Sequence, residues 1–274
     1  MSLSDKPLSA GVGFLSTIEG FLIDLDGVLY TGDLPVPGAE KAIRFLNENG
    51  YSYRFISNTT RKCRQTIAER LFRMGFNIPE KYIFTPPIAA VAYMKRKGYS
   101  TFRLLTTGDV FRDFPTAGDP AVPGETDCVI LGDAGDEMTY ANLNRAFRDI
   151  MEGAVLVALE NDRYWMAPDG LSLSAGPFVT ALEFATGKKA VLMGKPSREF
   201  FDLALRDMGI VPENTVMIGD DIQTDIRGAQ AAGMRGVLVR TGKYREEIPR
   251  KSGIRPDMVI DSLQDIGKIF RMER

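Results

Sequence analysis

Short apolar runs alternate along the chain with longer stretches in which apolar residues return every three or four positions. Phe21 to Leu25 is a run of the first kind and predicts a buried strand. From Pro37 to Asn49 the second kind takes over, with Ala39, Ala42, Ile43 and Leu46 at i, i+3, i+4 and i+7. That spacing predicts a helix, with Pro37 suited to its first turn and Gly50 to the position just past its end. Tyr53 to Ser57 reads as the next strand, and Gln65 to Met74 as the next helix, closed by Gly75. The alternation returns late in the chain. Strands are expected at Ala190 to Met193, Thr215 to Ile218, Gly236 to Arg240 and Met258 to Ile260. The intervening helices carry Phe201, Ala204, Leu205 and Met208 on one face, then span Asp225 to Ala232 and Leu263 to Phe270. Strand followed by helix, repeatedly, implies right-handed crossovers and a parallel sheet covered on both faces.

Between these blocks, from about Thr85 to Gly187, the texture changes. The stretch opens at Pro86-Pro87 and holds two turn-rich segments, Pro115 to Gly124 and Pro168 to Gly176. It also holds apolar runs at Phe102 to Leu105, Cys128 to Leu131 and Val155 to Ala158, and helical patterns at Ile88 to Lys97 and Tyr140 to Met151. A structureless loop of this length is rare in a compact protein, so the stretch reads as a second α/β unit inserted into the first. The expected division is one domain from 1–84 and 188–274, and an inserted domain over 85–187.

Composition removes several kinds of chemistry. The chain contains no histidine. A Ser-His-Asp or Cys-His nucleophile, a histidine-ligated metal and an imidazole general base are therefore ruled out. A net charge of -2 gives no long-range pull toward nucleic acid or an anionic membrane. Cys63 and Cys128 are too few for a disulfide framework, and reduced thiols in a cytoplasmic protein are the simplest account. No apolar run approaches the length of a membrane span, and Met1 to Leu15 lacks the pattern of a signal peptide.

Acidic residues at the ends of buried parallel strands need a reason, because that edge of an open α/β sheet is where ligands bind. Asp24-Leu25-Asp26-Gly27 closes the first strand; Gly219-Asp220-Asp221 closes a later one, with Asp225 at the start of the next helix. Each has a structural reading: Asp26-Gly27 is a common turn, and Asp225 a good first residue for a helix. Both together on one sheet would repel unless a cation joined them. Oxygen ligands without histidine or cysteine point to a hard octahedral ion, Mg2+. Ser57-Asn58-Thr59-Thr60 ends the second strand with hydroxyl, amide and backbone N–H groups that suit either a phosphate or a helix cap. Gly194-Lys195-Pro196 sets a lysine just past a buried strand, either solvated or facing the acidic group.

In this order and spacing, Asp24-x-Asp26-Gly27-Val28, Ser57-Asn58, Gly194-Lys195-Pro196 and Gly219-Asp220-Asp221-x-x-x-Asp225 resemble the four motifs of the haloacid-dehalogenase-like hydrolase superfamily. The insertion between the second and third motifs resembles the cap of its NagD-like, type IIA branch. Arg163-Tyr164-Trp165, Asp169-Gly170-Leu171, Gly176-Pro177-Phe178 and Thr241-Gly242-Lys243-Tyr244 also resemble members of that branch. The resemblance implies a Rossmann-like parallel-sheet core with an inserted α/β cap of type C2. It also implies a Mg2+-dependent phosphatase acting on small-molecule phosphomonoesters. On it, Asp24 is the nucleophile, and Asp26 the general acid and base. Lys195 balances charge, and Ser57, Asn58 and Thr59 hold the phosphate with it. Asp24, the Asp26 backbone carbonyl and Asp220 ligate the metal, and Asp225 orients ligands from behind. Asp221 ligates, caps the next helix or faces solvent. Arg163, Tyr164, Trp165 and Asp169 are the candidates for substrate choice, with a place in the cap core the alternative for the sole tryptophan. Caps of this branch can mediate homodimers. Two competing readings stay open: a phosphotransferase or mutase, and a module that binds phosphoryl ligands without turnover.

Overall fold

The computed structural model describes residues 15–115 and 125–271, so the opening residues and most of the Pro115 to Gly124 turn segment lie outside it. The strands, in chain order, are β1 Gly20–Asp24, β2 Tyr30–Thr31, β3 Leu34–Pro35, β4 Ser52–Ile56, β5 Ile83–Phe84, β6 Phe102–Leu105 and β7 Cys128–Leu131. They continue with β8 Val155–Ala158, β9 Tyr164–Ala167, β10 Gly170–Leu173, β11 Val191–Leu192, β12 Thr215–Gly219, β13 Arg235–Val239 and β14 Met258–Ile260. The chain divides into two compact units. One takes the residues up to Ile56, Met74–Phe76 and those from Leu205 onward; the other takes Ser57–Arg73 and Asn77–Ala204.

In the first unit the strands lie in the order β14-β13-β12-β1-β4, all parallel. β1 and β12 are buried at every residue, which is why they read as unbroken apolar runs rather than alternating ones. Registers Ile23↔Ile218 and Asp24↔Ile56 bring the carboxyl ends of β1, β12 and β4 to one edge. The helix expected from Pro37 is α1, Ala39–Glu48; it starts after Gly38, whose φ of +80° admits glycine readily, so Pro37 precedes the helix. Its buried face is Ala39, Ala42, Phe45 and Leu46, with Ile43 half-buried. The aromatic rings of Phe21, Tyr51 and Phe270 meet edge to face at 5.2–5.8 Å and close the core beside it.

The helix expected at Asp225 to Ala232 is different in kind. Residues Ile222–Arg227 form a π-helical turn, followed by a short α-helical piece at Gly228–Ala231. The Ile226 N–H reaches the Asp221 carbonyl, five residues back, at 3.3 Å. Such wide turns cluster at functional sites.

The second unit has its own parallel sheet, β11-β8-β7-β6, with Leu105↔Leu131↔Ala158 in register. Val129, Leu131, Leu156 and Ala158 pack there with Ala146, Ile150, Val179 and Leu182 in one apolar cluster. The helices bearing these side chains are Tyr140–Met151, capped by the Thr139 hydroxyl, and Gly176–Thr186, ended by Gly187 at φ +69°. Pro86 and Pro87 open the helix Pro86–Lys97, where their missing N–H groups cost nothing. The turn-rich stretch after Pro168 is part of an antiparallel hairpin, β9 with β10, whose turn needs Gly170 at φ +134°. Among the described residues, no helix is long and apolar enough to cross a membrane. Cys63 and Cys128 are both buried thiols.

Candidate active site

β1 delivers Asp24 to the carboxyl edge of the first unit's sheet, and β12 delivers Asp220 one residue past its end. The π-helical turn brings Asp225 back to the same point. One carboxylate oxygen from each of Asp24, Asp220 and Asp225 lies within 4.8 Å of the other two. All three are buried, at 8%, 3% and 0% exposure. At that spacing the gross Coulomb repulsion of each ionised pair is roughly 3 kcal/mol even at an effective dielectric of about 20. Three buried, converging carboxylate oxygens could hold a metal ion, and an all-oxygen donor set suits a hard divalent cation.

The backbone around them is built for close approach. The Asp220 carboxylate accepts the Lys243 N–H at 2.7 Å, and the Thr241 hydroxyl donates to the Gly27 carbonyl. A Cβ added at Gly27 or at Gly242 would stand 2.0 Å from Asp220 Oδ2, and both glycines have positive φ, +85° and +63°. Neither position admits a side chain without moving the carboxylate. Behind them, Asp225 Oδ2 accepts the Asp221 N–H at 3.1 Å, and a Cβ on Gly219 would meet that same oxygen at 2.3 Å.

Asp221 caps the π-helical turn, accepting the N–H groups of Gln223 and Thr224 at 2.9 and 3.1 Å, and stands 3.4 Å from Lys243 Nζ. Burial pushes its carboxyl up, but the capping N–H of Thr224 and the Lys243 ammonium outweigh it and hold the group below the usual carboxylate range. Lys243 is held above its usual value: burial opposes its charge, while Asp221 and then Asp220 favour it. Asp26 is exposed just beyond β1, where the chain turns back so that the Gly27 N–H reaches the Tyr30 carbonyl at 2.7 Å. Gly242 and Lys243 enter the sequence reading only within the Thr241-Gly242-Lys243-Tyr244 resemblance, with no part in the site. Their signal is the same one that marked the carboxylates, polar residues just past a buried parallel strand, here β13.

Within the second unit, Ser57 directly follows the last residue of β4, and its hydroxyl accepts the Thr59 N–H at 3.2 Å. Asn58 uses its amide on the Lys195 backbone in both directions. Its Nδ2 donates to the Lys195 carbonyl at 2.9 Å, and its Oδ1 accepts the Lys195 N–H at 2.8 Å. Lys195 is 7% exposed. Thr60 donates its hydroxyl to Glu160 at 3.2 Å. Burial and then the nearby Asp162 push the Glu160 carboxyl up to about 7, against the hydrogen bonds of Ser174 and Thr60. Of the hairpin candidates, Arg163, Tyr164 and Asp169 are exposed. Trp165 is 37% exposed and is not core; the Arg61 guanidinium lies 5.2 Å from its ring centroid.

A haloacid dehalogenase-like hydrolase family model matches residues 21–118, and a second, HAD-hydrolase-like, matches residues 192–266. The chain is 42% identical to haloacid dehalogenase-like hydrolase domain-containing protein 2 of Bos taurus, over 89% of this chain and 93% of that one. It is 37% identical to the phospholysine phosphohistidine inorganic pyrophosphate phosphatase of Danio rerio, over 91% and 93%. Among solved structures, the 4-nitrophenylphosphatase of Thermotoga maritima superposes with a TM-score of 0.81 at 28% identity, covering 93% of this chain and 98% of that one. NagD of E. coli K-12 shares the fold, with a TM-score of 0.80 at 24% identity over 90% and 98%.

Proposed function

The chain belongs to the haloacid dehalogenase-like hydrolase family, and from that membership we propose a Mg2+-dependent phosphatase that hydrolyses small phosphomonoesters through an aspartyl-phosphate on Asp24. The observation that carries the reading is the buried trio of Asp24, Asp220 and Asp225, with Asp26 exposed two residues beyond Asp24. Relatives named as phosphatases support the reaction class.

In the first half-reaction an Asp24 oxygen forms a bond to phosphorus while the bond to the leaving alkoxide breaks. Asp26 gives its proton to that alkoxide. In the second, Asp26 takes a proton from the water that attacks the acyl phosphate, releasing inorganic phosphate and restoring Asp24. Splitting one hard displacement in two, with positioned acid–base help worth ~10²–10⁴ in rate, does the work an imidazole does elsewhere.

Asp24, the Asp26 carbonyl and Asp220 would hold Mg2+, with Asp225 orienting them, and the ion would supply the two positive charges that a phosphate dianion needs. Lys195 adds a third positive charge, and Ser57 and Thr59 offer hydroxyl donors to the phosphate. Asn58 offers its remaining amide N–H to the phosphate and also fixes the Lys195 backbone. Arg163, Tyr164, Trp165 and Asp169, in the inserted domain read as 85–187, are assigned to substrate choice. Two buried cysteines held as free thiols support a cytoplasmic location.

The test is hydrolysis of p-nitrophenyl phosphate by the purified chain. Activity should require Mg2+, disappear with EDTA, and disappear in Asp24→Asn. Activity surviving Asp24→Asn refutes the nucleophile, and transfer to an added alcohol instead of water makes the enzyme a phosphotransferase.

A further inference from the structure

The residues assigned to the phosphate share one packed group within the second unit. Asn58 holds the Lys195 backbone through both polar atoms of its amide. Just before Lys195, a Cβ added at Gly194 would stand 2.8 Å from the Leu159 carbonyl oxygen and 3.3 Å from Asn58 Oδ1. The missing side chain lets this stretch lie against Asn58 and against the end of β8 at once. The Met193 N–H continues the contact, donating to the Ala158 carbonyl at 2.8 Å.

Glu160 is the next residue after Leu159, and its carboxyl is tied into the same group. The Thr60 hydroxyl donates to it at 3.2 Å, and the Ser174 hydroxyl bonds to it as well. Thr60 and Ser174 are both buried. The chain around Ser174 is closed by its backbone: the Ser174 N–H donates to the Arg163 carbonyl at 3.3 Å, and the Gly176 N–H to the Asp162 carbonyl at 3.0 Å. Glu160 therefore joins Thr60, the last residue of the Ser57-Asn58-Thr59-Thr60 stretch, to the end of the β9–β10 hairpin. Three residues of chain span at most ~11 Å, so Thr60 and the carboxyl it binds stay close to a phosphate held at Ser57.

The charges there make the proton on Glu160 matter. Asp133 faces the Arg61 guanidinium at 3.4 Å, Asp162 and Asp133 both act on Glu160, and Lys195 brings the other positive charge. With Glu160 ionised, three carboxylates oppose two cations, and a phosphate dianion adds two more negative charges. With Glu160 protonated, one of those charges goes. The acid still serves both hydroxyls, donating from one oxygen and accepting at the other. Burial and then Asp162 push this carboxyl up to about 7, so both states are populated near neutral pH.

We infer that Glu160 is a positioning residue for the phosphate: it anchors Thr60, and the site takes a doubly charged oxyanion best when Glu160 carries its proton. The inference deepens the phosphatase reading and rests on it for where the phosphate sits, but binding tests it without turnover. An anion that favours the protonated carboxyl is bound more weakly once that proton is lost. Sulfate is the probe, because it stays a dianion while phosphate itself titrates near neutrality. The full-length protein is titrated calorimetrically with sulfate, with Mg2+ present and ionic strength constant, at about pH 5.5 and about pH 8.5. Affinity should be about tenfold higher at the lower pH, the change for a pKa moved one unit by binding. The chain has no histidine, so the side chain that ordinarily titrates in that interval is absent. Glu160→Gln keeps hydrogen-bonding atoms and has no charge to gain. It should bind sulfate equally at both pH values, as tightly as the unmodified protein does at the lower one. Thr60→Val keeps the charge and loses the anchor, so binding should weaken at both values while the pH dependence remains. Equal affinity at both pH values in the unmodified protein, a pH dependence retained in Glu160→Gln, undiminished binding in Thr60→Val, or no sulfate binding overturns the inference. If the protein hydrolyses no phosphomonoester while sulfate binding follows this pattern, the phosphatase reading fails and the role of Glu160 in holding the oxyanion stands.

Discussion

Asn58 and Lys195, 137 residues apart in sequence, exchange two hydrogen bonds, the Asn58 amide donating to the Lys195 carbonyl and accepting its N–H. A planar amide meeting one residue's backbone at both ends fixes where that lysine leaves the chain. The proposed charge-balancing group is thereby placed by a residue of a distant segment, whose second amide N–H these two bonds leave unused.

Asn58→Ala removes both bonds and leaves a part-buried donor and acceptor to find water. It should cost about 1–3 kcal/mol of stability and lower kcat/KM for p-nitrophenyl phosphate by at least roughly tenfold. Asn58→Asp keeps the acceptor for the Lys195 N–H and loses the donor, so its activity should fall between the two. Urea unfolding and steady-state kinetics read both quantities. An Asn58→Ala protein with unchanged kcat/KM would show that Lys195 needs no such placement.

The carboxylate trio predicts opposite effects with and without metal. Asp225→Asn lowers the charge repulsion in the metal-free protein while its amide oxygen can still accept the Asp221 N–H, so the metal-free melting temperature should hold or rise. The Mg2+-induced rise should shrink or vanish in the same variant. In the unmodified protein that rise corresponds to about 2.7 kcal/mol when the ion is at a hundred times its Kd. Thermal melts with EDTA and with Mg2+ decide it; an undiminished Mg2+ shift in Asp225→Asn would remove Asp225 from the metal site.

Gly242→Ala drives a Cβ to within 2.0 Å of Asp220 Oδ2 from a backbone at φ +63°. Strain of this kind costs of order 1–3 kcal/mol before any clash is counted. The variant should melt earlier and need more Mg2+ for half-maximal activity. Gly50→Ala is the control, since φ is +71° there but nothing stands within 4 Å of the added Cβ. It should lose stability without any change in Mg2+ requirement.

Much of this was legible in the sequence, and the parts that were not share a cause. β1, β7, β8 and β12 are buried strands, so burial itself wrote them as continuous apolar runs. The acidic motifs stood out because carboxylates interrupt or end such runs. The β9–β10 hairpin was missed because Leu171 and Leu173 are 68% and 61% exposed, and no core enforces a readable pattern. The π-helical turn reads as ordinary helix because i→i−5 hydrogen bonding leaves no signature in residue spacing. The two bonds from Asn58 to the Lys195 backbone were not legible because that partner lies 137 residues away in sequence. Asp221, with three roles open, proved to be the helix cap by the same local logic that governs Ser, Thr and Asn in that position.

Glu160 carries a pH effect whose sign follows from its raised carboxyl. The folded state holds this proton up to about 7, whereas the ordinary value is 4.5, so between those pH values the folded protein binds more protons than the unfolded chain. Its contribution to stability is full below pH 4.5 and is lost as pH rises through about 7. Glu160→Gln should flatten that part of the stability profile. Urea unfolding of both proteins at a series of pH values measures it; identical slopes would show that Glu160 titrates as an ordinary carboxyl.

The covalent step at Asp24 is the centre of the proposed mechanism. The direct measurement is the intact mass of protein quenched in acid during turnover of p-nitrophenyl phosphate with Mg2+. A chain without histidine cannot store the group as phosphohistidine. The predicted result is a gain of one phosphoryl group that hydroxylamine removes, that maps to the peptide containing Asp24, and that Asp24→Asn abolishes. Turnover with no trapped phosphoryl group on Asp24, or a hydroxylamine-stable group elsewhere, would contradict it.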